Sequence, residues 1–409
     1  MTQEHKLTKS HHLRQNNRSL ILKEIFHTPG ISRRELADVS NLTEASLSRI
    51  TKDLIDEGLI QTIETRPERL TRGRPNVGLT LCQNGMYILC ICLTAFEQKL
   101  SIVAANGERL TEDLITGWPD IRPNELIDQI ATHVDILHRR PDLQFDKLKA
   151  VSLTIAGDID THHDAIISAR PGIRDIDTLY EQIANTFNLP ICLQNTSIAL
   201  HVAETRNKLS REPSNSLLLY SGIGVGASLM IQGLVSHGSE HESWIGGIMI
   251  ERPPLSDNII ADNAEHQHQT AIKLDDISSG RAILHRLGQY GIEPAPEHGD
   301  GGLHLALPHA IRQANSGERR AVAAFSDAGR TLGLAFQSTV ALAQPEFVIL
   351  AGPIAAAHPF VDGFDRAMRD YNAGFASHPH TLKVSKISSL MATEIVGLER
   401  FLLSKPLID

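Results

Sequence analysis

The chain has few aromatic residues, four cysteines and no long apolar run in its 409 residues. Each shortage excludes something. Without about 18 consecutive apolar residues, no segment is expected to span a bilayer. The start, MTQEHKLTKSHHLRQNN, lacks the apolar block of a secretory leader. Cys82, Cys90, Cys92 and Cys192 lie within or beside apolar, strand-like runs. That placement predicts reduced core thiols in a cytoplasmic protein, not disulfides or a metal knuckle. The pairs His11-His12, His162-His163 and His378/His380 lack convergent partners, and His266 and His268 fall in the polar stretch AEHQHQT, so no metal ligand set is expected.

What is present is length and a charge asymmetry. The chain is long enough for two or three domains with sizeable cores. Its net charge is −9, but residues 1–80 hold 13 basic against 10 acidic residues, and the remainder 26 against 38. A slightly basic head on an acidic body suits a head that touches a polyanion.

The first eighty residues carry three helical patterns. Leu20, Ile21, Ile25 and Phe26 mark one helical face, ended by His27-Thr28-Pro29-Gly30. In ISRRELADVSN, Ser32 with Glu35 three residues on is a capping-box spacing, and Leu36 and Val39 supply an inward stripe. After the short turn SNLT, Thr43 can cap EASLSRITKDLIDEGL, where Leu47, Ile50, Leu54 and Ile55 recur at helical spacing until Gly58. Two short helices around a tight turn, the second with small polar residues on its first exposed turns, form a helix-turn-helix pattern.

The strand candidates LIQTIETR and NVGLTL follow, separated by PERLTRGRP with Arg69, Arg72 and Arg74. A wing with arginines at its tip can reach phosphates or a narrow minor groove. Ala45, Ser46, Ser48 and Arg49 are then the candidates beside base edges, Arg33, Arg34, Lys52 and the wing arginines, Arg72 and Arg74 among them, those for the DNA backbone, and Thr43 a further DNA-binding candidate at the helix start. The alternative is a small helical interaction module with a solvated basic face. The ordered set of helices, turn, glycine stop and wing favours double-stranded DNA.

From Leu81 the pattern changes. YILCICL and KLSIVAANGERL read as strands, with a hairpin at Asn106-Gly107. A helix is expected over Asn124–His138. KAVSLTIAGDID and SLLLYSGIGVGASLMIQGLV are further strands with glycine-containing loops. FSDAGRTLGLAFQSTVALAQPEFVILAGPI reads as a long helix, a proline turn and a buried strand. Such alternation indicates an α/β body, and its length suggests two lobes.

These segments resemble the ROK family, which groups sugar-responsive repressors and sugar kinases. The resemblance rests on RGRPNVGLTL behind the winged head, then IAGDID, YSGIGVGASLMIQGLVSHG, DDISSGRAI and ALAQPEFVILAGPI in that order, and it covers essentially the whole chain. It implies a winged helix-turn-helix over 1–80, then a two-lobed, actin-like (ribonuclease-H-like) α/β fold. The smaller lobe is expected over 81–192 plus 383–409, and the larger over 193–382, with the dimerisation and effector surface.

The same resemblance marks departures. The family's first hairpin carries an Asp, Gly and Thr near the phosphates of ATP; LCICLTAFEQKL has neither Asp nor Gly, and Phe96 and Gln98 fill the turn. The family's Glu-Asn-Asp sugar motif aligns with Gln194, Asn195 and Thr196 in LQNTSIALHVAE, whose last residue, Glu204, matches the family's terminal Glu. A threonine hydroxyl cannot take a proton as the Asp would. Trp244 and Gly247 stand where the sugar Glu and the zinc His would be, and no cysteine occurs from Glu251 to Asp276.

No catalytic residue, cofactor or metal is therefore expected, and the body is a sensor. Its candidate effector residues are Asn195, Thr196, Glu204, Arg170, Trp244 and His237, for a sugar or sugar derivative. Asn195 as a helix cap, Trp244 as core filler and Arg170 in a surface ion pair are the plain alternatives. A homodimer or dimer of dimers on a palindromic operator follows from how helix-turn-helix proteins read DNA. The competing assignment is a sugar kinase with an appended DNA-binding head.

Overall fold

The computed structural model describes residues 3–65, 76–117, 121–160, 164–169, 175–206, 214–235, 245–256, 270–289, 303–372 and 380–403. In the head, α1 (Gln3–His27) precedes a two-residue strand, β1 (Ile31–Ser32), with Gly30 at φ +91° making the turn. Ser32 and Glu35 then close the expected capping box on α2 (Arg33–Ser40), and Asn41 ends it in the left-handed conformation that asparagine tolerates. Thr43 caps α3 (Glu44–Asp56), and Gly58 at φ +74° lets the chain leave for β2 (Ile60–Thr65) and β3 (Asn76–Leu81). The three strands pair antiparallel in the order β1-β3-β2.

Val39 does not join the inward stripe as expected: it is 52% exposed, whereas Leu36 is fully buried. With eight residues, α2 turns inward at Leu36 and Ser40, four apart, and Val39 falls on the flank.

The first lobe contains β4 (Tyr87–Leu93), β5 (Gln98–Ala104), β6 (Arg109–Leu114), α4 (Pro123–Val134), α5 (Ile136–Arg139), β7 (Leu148–Ile155), β8 (Ile159–Asp160), β9 (Ala165–Ile166), α6 (Leu179–Phe187) and β10 (Ile191–Asn195). The single helix expected over 124–138 is divided at Asp135. After α7 (Thr196–Arg206) comes the second lobe: β11 (Ser216–Ser221), β12 (Val225–Ile231), β13 (Leu234–Val235), β14 (Met249–Glu251), β15 (Ala271–Lys273), α8 (Asp275–Ser278), α9 (Gly280–Arg286), α10 (Leu303–Asn315), α11 (Arg319–Ala343), β16 (Phe347–Ala351), α12 (His358–Asn372) and β17 (Thr381–Val384). Last comes α13 (Ser389–Leu398).

The two lobes repeat one plan. One sheet has the order β10-β7-β4-β5-β6 and the other β13-β12-β11-β16-β17. Each joins a parallel trio (β10-β7-β4, β11-β16-β17) to an antiparallel pair. The antiparallel edges explain why short turns suffice there, while each parallel pair needs a long crossover.

YILCICL lacks alternation because both of its faces are covered. Tyr87, Leu89, Ile91 and Leu93 point into the first-lobe core, whereas Ile88 and Cys90 join a core built with the head. That shared core brings Ile21, Leu22 and Ile25 of α1 and Leu79 and Leu81 of β3 together with Val103, Ala150, Leu398 and Leu402. Among the described residues no helix is long and apolar enough to cross a membrane.

Candidate functional sites: the outward face of the third helix and a strand-to-helix seam

On α3 the apolar residues Leu47, Ile50 and Leu54 are buried, which fixes the rotation of the helix. Ala45, Ser48, Arg49 and Lys52 are exposed, at positions i, i+3, i+4 and i+7 of one outward stripe. Thr43 and Glu44 are also exposed, and Ser46 is half-buried. Thr43 Oγ1 accepts from Ser46 N at 3.3 Å and donates to Ser46 Oγ at 3.0 Å, so these two hydroxyls are already engaged in starting the helix. On α2, Arg34 is exposed while Arg33 is half-buried, its Nε 3.5 Å from Thr51 Oγ1 on α3.

Two carboxylates at the carboxyl end of α3 are paired with the head's first helix. Asp53 pairs with Arg14 at 2.6 Å, and Glu57 takes a two-pronged contact from Arg18, both arginines coming from α1. Each such exposed pair contributes at most about 1 kcal/mol. The wing's strands are formed as expected. Its tip, with Arg69, Arg72 and Arg74, lies outside the described residues.

The second candidate site is the seam between β10 and α7. Asn195 Nδ2 donates to the Gly157 carbonyl at 2.7 Å, and its Oδ1 accepts from Ser197 N at 2.7 Å. Asn195 thus caps α7 and ties it to the 156–158 loop. Gly157 is needed there, because a Cβ would sit 2.0 Å from the Ser168 carbonyl oxygen. Thr196 is 2% exposed, and its Oγ1 has no hydrogen-bond partner among the described residues. Thr154 and Ser221, at the carboxyl ends of β7 and β11, are buried with equally unpartnered hydroxyls. The carboxyl ends of parallel strands are where open α/β sheets receive ligands, and an orphaned buried hydroxyl costs stability unless something pairs with it.

Glu204 lies further along α7, about 12 Å from Thr196 by helical rise. It is buried and accepts from Ser385 Oγ at 2.7 Å, anchoring the segment after β17. Arg170, His237 and Trp244 lie outside the described residues.

Two polar groups here, Glu97 half-buried and His201 fully buried, leave no signal in the sequence. Glu97, in the turn between β4 and β5, sends its Oε2 to the backbone amides of Ser389 at 2.7 Å and Leu390 at 3.2 Å. Ser388 Oγ accepts from Met391 N at 3.1 Å and completes the cap of α13. An internal carboxylate therefore occupies a positive helix end beside the β4–β5 hairpin. His201 on α7 lies between Ser228 Oγ (2.9 Å) and Ser216 Oγ (2.8 Å), and burial pushes its pKa down to about 4. It is a neutral bridge at ordinary pH. Cys90 and Cys92 are free and buried, and desolvation raises both thiols well above the usual range.

Comparison with known proteins fits this geometry. The ROK family model matches residues 89–397, and a model described as winged helix-turn-helix DNA-binding matches residues 14–61. The chain is 24% identical over 349 residues to the DNA-binding transcriptional repressor Mlc of Escherichia coli (strain K12), covering 84% of this chain and 82% of that protein. It is 23% identical over 353 residues to the DNA-binding transcriptional dual regulator NagC of the same strain, with coverages of 84% and 82%. A solved structure of a ROK family transcriptional regulator, a homolog of the E. coli Mlc protein, superposes with a TM-score of 0.68 at 22% identity, covering 94% of this chain and 96% of that one.

Proposed function

This chain belongs to the ROK family, and from that premise we propose that it is a transcriptional repressor of a carbohydrate-related operon, with a kinase-like body that senses an effector and carries out no chemistry. The observation that carries the proposal is the outward stripe Ala45, Ser48, Arg49 and Lys52 on a helix whose opposite face is locked into the core. Small and cationic side chains at that spacing can lie in a major groove, with Arg49 in reach of base edges and Arg33, Arg34 and Lys52 beside phosphates. The wing arginines Arg72 and Arg74 would add contacts to the backbone or the minor groove. The names of the relatives Mlc and NagC, a repressor and a dual regulator, support regulation.

In the body, Thr196 presents a hydroxyl where phosphoryl transfer would need a carboxylate base, and Glu97 occupies a helix end beside the hairpin. The effector is a sugar or sugar derivative received by the hydroxyls at the strand ends beside Asn195, with Arg170, Trp244 and His237 as further candidate contacts from the sequence. Effector binding shifts the lobes, and the shift alters the spacing of two heads in a homodimer on a palindromic operator.

Selection of duplexes from a random pool, followed by titration at several salt concentrations, tests the first part. Enrichment of a palindromic site is expected; equal, salt-sensitive binding to every sequence would refute it. Thermal-shift screening with sugars, sugar acids and sugar phosphates tests the second. ATP consumption across common hexoses tests the third, and turnover would restore the kinase assignment.

A further inference from the structure

Two helices run between the lobes; both touch each lobe, but beyond the first turn of α7 their polar anchors lie on opposite sides. The second lobe's sheet holds α7: buried His201 bonds Ser216 on β11 and Ser228 on β12, and Ser197 fits against Gly226, where a Cβ would lie 2.5 Å from its Oγ. The first lobe holds α13. Glu97 seats its first turn, Arg109 and Ser101 bind Glu394 at 2.6 and 2.7 Å, and Ser152 donates to the Thr393 carbonyl at 2.8 Å. The two helices pack against each other, and their far ends meet at Glu399.

Glu399 opens a π-helical turn (Glu399–Leu403), a form that often marks functional positions. Its side chain is 7% exposed. Oε2 accepts from Arg206 Nη1, at the end of α7, at 2.9 Å, and the same oxygen lies 3.5 Å from Lys23 Nζ on the head's α1. Two residues further on, Phe401 packs against the core shared by head and first lobe, and Leu402 and Leu403 are part of it.

We infer that Glu399 is the residue through which movement of one lobe against the other reaches the DNA-binding head. One carboxylate oxygen serves a cation carried by α7 and a cation carried by α1. Around a carboxylate that is itself buried, charge-assisted contacts weaken with distance. When α7 slides along α13, the Arg206 contact lengthens, and the electrostatic balance at Lys23 and the packing of the π-helical turn change with it. By linkage, a change in how α1 docks must alter α7 to the same degree. This goes beyond DNA recognition and effector choice, and its test needs neither ligand.

The test is hydrogen-exchange mass spectrometry on the full-length protein, comparing the parent with R206M, R206K, K23M and E399Q. R206M is expected to speed exchange across residues 14–27 of α1 about five-fold or more, although Arg206 is carried by α7. K23M speeds exchange in the last turn of α7 to a similar degree, E399Q does both, and R206K restores protection. R206M combined with E399Q adds nothing beyond E399Q alone, since both act through one carboxylate. Confinement of the R206M effect to α7, or of the K23M effect to the head, overturns the inference, and so does an additive double variant. Should an Arg206 variant fail to fold, the near-isosteric E399Q decides the question: faster exchange in both α1 and α7 supports the coupling, and faster exchange in neither or in one refutes it.

Discussion

Glu97 Oε2 accepts from the Ser389 backbone amide at 2.7 Å, a contact between residues 292 positions apart in the chain. It places a carboxylate at the amino end of α13. Removing the charge with Glu97→Gln keeps one acceptor but weakens a charge-assisted bond and its interaction with the helix dipole. A loss of about 1–2 kcal/mol is expected from urea unfolding. No loss would mean that the cap is idle.

Thr196 carries a buried hydroxyl with no partner among the described residues. Thr196→Val keeps the shape and removes the orphan group. The effector-free protein should be as stable as the parent or up to about 1 kcal/mol more so, while any sugar-induced thermal shift disappears. Differential scanning fluorimetry reads both outcomes.

His201 gives stability a defined pH dependence. Its folded pKa, about 4, lies below the usual value near 6.5, so between those values the unfolded chain binds more protons. Stability is fully present above about pH 6.5 and falls as the pH drops towards 4, by about 3 kcal/mol from this group alone. Carboxylates add their own slope, so the measurement is the difference between parent and His201→Gln in chemical unfolding at several pH values. The variant should be less stable near neutrality and show a shallower fall with acid.

On DNA, Lys52→Ala should weaken binding about equally across sequences and lower the salt slope by about one. Arg49→Ala should relax the preference at one base position, costing about 1–3 kcal/mol on the selected site and little elsewhere. Fluorescence anisotropy on matched and mismatched duplexes separates the two.

In the head, Leu36→Ala should cost about 2–5 kcal/mol and Val39→Ala less than about 0.5 kcal/mol. Thermal unfolding that ranks them the other way would contradict the rotation of α2.

Local signals made the head legible. Ser32 with Glu35, Thr43 before α3 and Gly58 after it are decided within one helical turn, so short windows of sequence record them. Periodicity alone points Val39 inward, but an eight-residue helix offers two inward positions, taken by Leu36 and Ser40. Asn195 was found, but its amide proved to be bonded to Gly157 and Ser197 within the fold. Glu97 and His201 escaped notice for the opposite reason. Their partners are distant in sequence and come together through tertiary packing, so neither leaves a spacing to recognise. A histidine inside SIALHVAE gives no hint that serines 15 and 27 residues later will flank it.

The apolar seam between head and first lobe has an evolutionary price. Ile88, Cys90, Val103 and Ala150 are at most 1% exposed because α1 and the last turns of the chain cover them. A foreign reading head grafted at residue 80 would leave that face wet and sticky unless its first helix reproduced Ile21, Leu22 and Ile25. Exchanging single side chains along the solvent face of α3 leaves that seam intact, whereas exchanging the whole head disturbs it.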